Sequence, residues 1–261
     1  MFSNKLIARV MLLAASAVFL VPTAHAQKRA AGFASDDDAF LALRDASRKG
    51  DAVRAADIAS KLGNYSIPSY VDYYQLRPRI KDASPTEVLA YLNKYSGSAI
   101  ADRLRNDWLL EIGKRRDWVT FDEQYPLFEL NDDTQLKCYA LMSKAQKGMN
   151  VAVDARALLT VPKNYGEGCV ALIGMLMENS QFNEDDLWAQ IRLAAETGST
   201  DFVRRLVPFT GIDDGSLVTA MEKPALITSK GVGFRRVKHE VFIVALGLSL
   251  IHSDAADDSL R

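Results

Sequence analysis

The chain has 261 residues, 48% apolar and 25% charged, with 15 glycines and 8 prolines. These are the proportions of a globular protein and exclude collagen-like, low-complexity and wholly disordered chains. Lysine and arginine number 32 against 33 acids, a net charge of −1, so no bulk field draws the chain to nucleic acid.

The N-terminus reads as a secretory signal. Lys5 and Arg9 precede an apolar run at residues 10 to 21, and Ala24-His25-Ala26 places small residues where a signal peptidase reads. The run falls short of the roughly 20 residues a membrane-crossing helix needs, which leaves a retained anchor as the weaker alternative. Cleavage after Ala26 removes Lys5 and Arg9 and no acid, leaving 30 basic against 33 acidic residues. No cysteine follows the cleavage point, which argues against a lipoprotein. Residues 1 to 26 are thus expected to be a signal peptide and 27 to 35 a flexible lead. The helical domain is expected over 36 to 261, in a soluble, periplasmic product with no transmembrane segment after cleavage.

From Asp36 onward apolar residues recur at spacings of three and four, and period-two alternation is missing, which predicts an all-α protein. Breaks fall at Lys49-Gly50-Asp51, Ser84-Pro85, Ser96-Gly97-Ser98, Arg116-Asp117, Asn131-Asp132-Asp133, Lys147-Gly148, Gly166 and Asn183, then at Gly211 and Pro224. Leu104, Trp108 and Ile112 form one apolar stripe; Leu187, Ile191 and Ala195 form another that stops at Gly198. Ser199-Thr200-Asp201 offers caps for a further helix with Phe202 and Leu206 inside and Pro208 limiting it. Short connections make successive helices antiparallel neighbours, so the expected architecture is an irregular helical-hairpin solenoid, an α-superhelix without a strict repeat consensus. A compact bundle is the alternative for a few of these helices.

Most charge clusters have a structural explanation. Asp36-Asp37-Asp38, Asp132-Asp133, Glu184-Asp185-Asp186 and Asp213-Asp214 fall where helices start, where carboxylates accept free backbone N–H groups and meet the positive end of the dipole. None has calcium-loop spacing. His239 and His252 lie thirteen residues apart without cysteine partners, which disfavours a metal site, and no cofactor is expected. Gly231-Val232-Gly233 lacks the third glycine and preceding strand of a dinucleotide site, and Arg235, Arg236 and Lys238 read as a solvated loop. Cys138 and Cys169 fall on predicted helices at about 134 to 147 and 167 to 179. In an oxidising compartment two cysteines tend to pair, so a structural disulfide is favoured over two buried thiols. Tyr70, Tyr73 and Tyr74 could stack on pyranose rings, against the commoner role of packing between helices.

Five segments carry a family resemblance. They are Pro-Ser-Tyr-Val-Asp-Tyr-Tyr-Gln-Leu at 68 to 76, Asn-Asp-Trp-Leu-Leu-Glu-Ile-Gly-Lys-Arg-Arg-Asp-Trp at 106 to 118 and Thr-Gln-Leu-Lys-Cys-Tyr-Ala-Leu at 134 to 141. Gly168-Cys169 and Leu-Trp-Ala-Gln-Ile-Arg-Leu-Ala-Ala-Glu-Thr-Gly-Ser-Thr at 187 to 200 complete the set. In this order, with two cysteines and a signal-like start, the chain resembles the N-terminal superhelical region of soluble lytic transglycosylases over about residues 36 to 253. The resemblance implies a U-shaped region or partial ring of helices that contacts peptidoglycan glycan strands. It also implies a lysozyme-like domain in which one glutamate acts as general acid and then base, giving a 1,6-anhydro product.

The family's catalytic Glu-Ser pair and its Gly-Leu-Met-Gln type segment have no counterpart here, so no catalytic residue is carried over. The expected reading is a scaffold without cutting activity of its own, truncated at its C-terminal end. Residues 241 to 251 are expected to form an apolar helix there and to leave Leu246, Leu248, Leu250 and Ile251 partly uncovered and prone to association. The alternative is a periplasmic helical-repeat adaptor that binds a protein partner.

Overall fold

A computed structural model describes residues 32 to 197 and 199 to 211. The signal-like segment lies outside the described residues, as do Gly198, Asp213-Asp214, the Gly231 segment, both histidines of the mature chain and the apolar run at 241 to 251. Among the described residues the fold is all-helical. The elements are α1 (Asp36–Arg48), α2 (Ala52–Ser60), α3 (Pro68–Leu76), α4 (Pro85–Lys94), α5 (Ala99–Arg115) and α6 (Trp118–Gln124). They continue with α7 (Thr134–Gln146), α8 (Ala152–Leu158), α9 (Glu167–Glu178), α10 (Glu184–Glu196) and α11 (Thr200–Leu206).

The helices begin where the sequence supplies oxygen caps. Ser35, Asp51, Ser84, Ser98, Asp117, Asp133 and Asn183 each accept from a backbone N–H in the first turn of the following helix. The acidic clusters hold the expected places: Asp36, Asp37 and Asp38 fill the first turn of α1, and Glu184, Asp185 and Asp186 that of α10. Among the described residues, 3-10 turns follow or link helices at Arg77–Arg79, Tyr125–Leu127, Pro162–Asn164 and Val207–Phe209. Each contains a proline, whose missing N–H and fixed φ break the α-helical ladder and tighten the chain into a shorter turn.

Packing runs in series. α1 packs on α2 and α3, α3 on α5, α5 on α7, α7 on α9, and α9 on α11, while α4, α6, α8 and α10 flank this row. A helix that touches its neighbour and its next-but-one neighbour builds a solenoid, not a ball with one centre. The core accordingly runs along the stack. One apolar cluster extends from Tyr73 to Leu206, a smaller one from Ala39 to Val71, and Tyr74 packs against both. Leu104, Trp108 and Ile112 are buried as the stripe on α5 predicts, with Trp108 only 1% exposed.

The row of odd-numbered helices is fastened at three joints. Between α3 and α5, the buried Tyr73 hydroxyl donates to Asp107 Oδ2 at 2.8 Å, and Arg77 Nε lies 3.3 Å from the same oxygen. Between α5 and α7, the Tyr139 ring lies flush against the backbone at Gly113. A Cβ there would come within 2.4 Å of the ring, so only glycine fits without displacement. Between α7 and α9, the Sγ atoms of Cys138 and Cys169 stand at disulfide distance, with their Cα atoms 5.0 Å apart. The Tyr139 ring also meets Gly168 of α9, where a Cβ would fall 2.8 Å from it. Its hydroxyl donates to Glu167, which Arg116 pairs at 2.6 Å while lying over the ring.

A further tie crosses from α8 to α10. Arg156 donates from Nε and Nη2 to the two Asp186 oxygens at 2.6 and 2.8 Å, and Asp186 also accepts from the Asn183 backbone N–H in a capping box. The guanidinium, aided by that N–H, holds the Asp186 carboxyl below its ordinary value of 3.8. A carboxylate whose folded value is depressed stabilises fully above its unfolded value and loses that contribution as pH falls through the folded one. The expected result is that Asp186→Asn flattens part of the acid limb of stability below pH 3.8, read from urea midpoints measured as a function of pH.

Candidate functional site

Among the described residues two hollows stand out. The larger, of about 470 Å³, runs along α7 between α6 with its following 3-10 turn on one side and α8 on the other. One stripe of α7 supplies Lys137, Ala140, Leu141 and Lys144, residues that share a face by their spacing of three, four and seven, and Lys147 follows at the C-cap. The far walls bring Tyr125 and Pro126 from one side, and Met149, Asp154 and Leu158 from the other. Tyr125 is held by stacking on the buried Phe121 ring at 5.3 Å, and by its hydroxyl donating to Asn131 Oδ1 at 3.3 Å.

The charges in this groove divide into two groups. Asp122 accepts from the buried Ser143 hydroxyl at 2.8 Å and from Lys147 Nζ at 2.6 Å, so these groups tie α6 to α7. Lys137 and Lys144 have no carboxylate partner among the described residues, and Asp154 likewise has no cation. The groove therefore keeps two cations and one anion over an apolar floor.

The second hollow, about 290 Å³ between α3, its 3-10 turn and α4, has spent its charges. Asp72 accepts from Lys94 at 2.8 Å and from the Tyr95 hydroxyl at 2.7 Å. Arg79 pairs with Glu87 and holds that carboxyl below the usual range. These neutralised pairs leave the α7 groove as the better candidate.

The three tyrosines singled out in the sequence adjoin, Tyr74 meeting Tyr73 at 5.2 Å and Tyr70 at 6.2 Å between ring centroids, but they differ in exposure. Tyr70 is exposed, Tyr74 packs edge-on to Phe40 at 5.7 Å, and Tyr73 is buried against Asp107. Burial, reinforced by the Asp107 charge, pushes the Tyr73 hydroxyl far above its ordinary range, and burial raises the Asp107 carboxyl in turn. Tyr73 thus serves the α3–α5 joint, while Tyr70 is exposed and Tyr74 half-buried. The groove lysines went unremarked in the sequence reading. Their signal was present as Lys137 and Lys144 on one face of a helix, but their meaning depends on α8 lying opposite.

Among the described residues no group of three or more His, Cys, Asp or Glu side chains is placed to hold a metal ion. No described helix is long and apolar enough to cross a membrane.

No family model and no curated protein matches the chain. Among solved structures, the chain is similar to the X-ray structure of an inactive mutant of the lytic transglycosylase Slt from Pseudomonas aeruginosa. The two share 24% identity and a TM-score of 0.48. The similarity covers 80% of this chain and 35% of that one, so this chain spans about a third of its length. At that identity and overlap the likeness concerns helical architecture alone.

Proposed function

We propose that the chain is a superhelical scaffold that holds peptidoglycan glycan strands in the periplasm, of the kind found in soluble lytic transglycosylases. In this reading glycan cleavage belongs to a lysozyme-like domain, and the superhelix contributes binding and placement. The observation that supports it is where the resembling segments fall. Tyr73 of the first meets Asp107 of the second; Gly113 of the second meets Tyr139 of the third; Cys138 of the third meets Cys169 of the fourth. The fifth lies on α10, packed on the helix that carries Cys169. The resemblance is thus concentrated in the joints that set how one hairpin sits on the next, the property on which a curved binding surface depends. Tyr70 offers an exposed ring for sugar stacking in the same reading.

Calorimetric titration of the purified chain with peptide-free glycan strands, prepared from sacculi with an amidase, tests this. Saturable binding is expected, with no 1,6-anhydro product detected by mass spectrometry. Absence of binding contradicts the scaffold reading and favours the protein-binding adaptor; release of anhydro product contradicts the division of labour.

A further inference from the structure

The groove along α7 holds charges of both signs that the fold leaves unused. Lys137 and Lys144 are seven residues apart, two helical turns, which spaces them about 10 Å along the axis. Between them the same stripe carries Ala140 and Leu141, so α7 offers a cation, an apolar step and a second cation. Asp154 on α8 adds an anion without a cation partner among the described residues, and Tyr125 and Leu158 put apolar surface on opposite walls. A free inorganic anion meets the lysines but is repelled by Asp154 and leaves the apolar steps uncovered. An anionic membrane is flat where this surface is concave. Residues on one face of an extended peptide recur at about 7 and 13 Å, and neither distance is that of the lysines. A second helix has the same rise as α7. Its residues seven apart therefore face both lysines at once, and those three and four along face Ala140 and Leu141.

We propose that the groove along α7 docks an amphipathic helix of a protein partner, one with acidic residues seven apart, apolar residues between them and a basic residue on the flank toward Asp154. This is helix-in-groove recognition, in which the apolar stripe supplies affinity and the charges fix register and direction. The site is independent of the glycan-holding reading and stands if that reading fails. Its charges lie at a solvent-open surface, so the preference they give weakens as salt rises.

The test titrates the full chain at low salt, by fluorescence anisotropy, into a labelled alanine-based helical peptide of about 20 residues, long enough to hold its helix. The peptide carries two glutamates seven apart, leucines three and four along, and one flanking lysine. It is expected to bind about tenfold more tightly than a peptide of the same composition whose glutamates lie on opposite faces, the gain of two solvent-exposed ion pairs. Lys137→Gln combined with Lys144→Gln removes that difference and leaves the melting temperature unchanged. In the chain with Lys137→Glu and Lys144→Glu the preference moves to a peptide that has lysines in place of the glutamates, a reversal that loss of folding does not produce. Failure of the unaltered chain to bind the designed peptide overturns the site, as does equal affinity for the two peptides or a preference that survives the double glutamine variant. Lysine-dependent binding to phosphatidylglycerol vesicles in place of the peptide overturns it as well and gives the surface to a membrane.

Discussion

Tyr139→Ala is expected to lower unfolding stability by about 3–5 kcal/mol, the usual cost of truncating a fully buried aromatic side chain. Tyr139 is 1% exposed and sits where three helices meet, its ring against Gly113 of α5 and Gly168 of α9. Removing it empties the space between two backbones that approach only because both positions lack a Cβ. The hydroxyl's tie to Glu167, and through it to Arg116, is lost as well. Tyr139→Phe separates the two effects: it keeps the ring and removes one hydrogen bond, for about 0.5–1.5 kcal/mol. The reciprocal change, Gly113→Ala, brings a methyl group to 2.4 Å from the ring. Its overpacking cost of about 1–3 kcal/mol offsets or exceeds the roughly 1 kcal/mol that alanine gains over glycine inside a helix. Urea midpoints of the three variants check the order, with Tyr139→Ala lowest.

Replacing Cys138 and Cys169 together by alanine is expected to cost about 3–4 kcal/mol. The two residues are 31 positions apart, and closing a loop of that size restricts the unfolded chain by this amount in the loop-entropy treatment. Alanine is chosen over serine because both sites are fully buried, where a hydroxyl would add its own desolvation cost. The double variant should also unfold with a steeper dependence on urea, since its denatured chain is freer to expand. Reductant should shift the unaltered chain toward the variant and leave the variant where it is. An unchanged urea midpoint in the double variant would show that α7 and α9 are held by packing alone.

The joints and the groove differ in how far the sequence announces them. Helix starts were legible because capping is local: Ser84 before Pro85, or Asn183 before three acids, carries its meaning within four residues. The apolar stripe of Leu104, Trp108 and Ile112 was legible for the same reason, as period alone assigns its face. The 3-10 turns were less so, because a proline shows where an α-helix must break and not whether the chain continues as a tighter turn. Gly113 and Gly168 gave no sign of clamping Tyr139, because all three residues lie far apart in sequence and meet only through packing. Tyr73 was read as more often packed between helices than offered to sugar, but its partner Asp107, which lies on another helix, was not legible. The groove was hidden for the same reason. Lysines on a helix face are usually solvated, and only the position of α8 turns Lys137 and Lys144 into one wall of a cleft with Asp154 on the facing side.

That this stack holds wall polymer is tested most directly by co-sedimentation of the purified chain with intact sacculi. The prediction is saturable recovery in the pellet, diminished when soluble peptidoglycan fragments compete and when salt is raised. A chain that stays in the supernatant at every sacculus concentration, at low salt and with its Cys138–Cys169 bond intact, contradicts it.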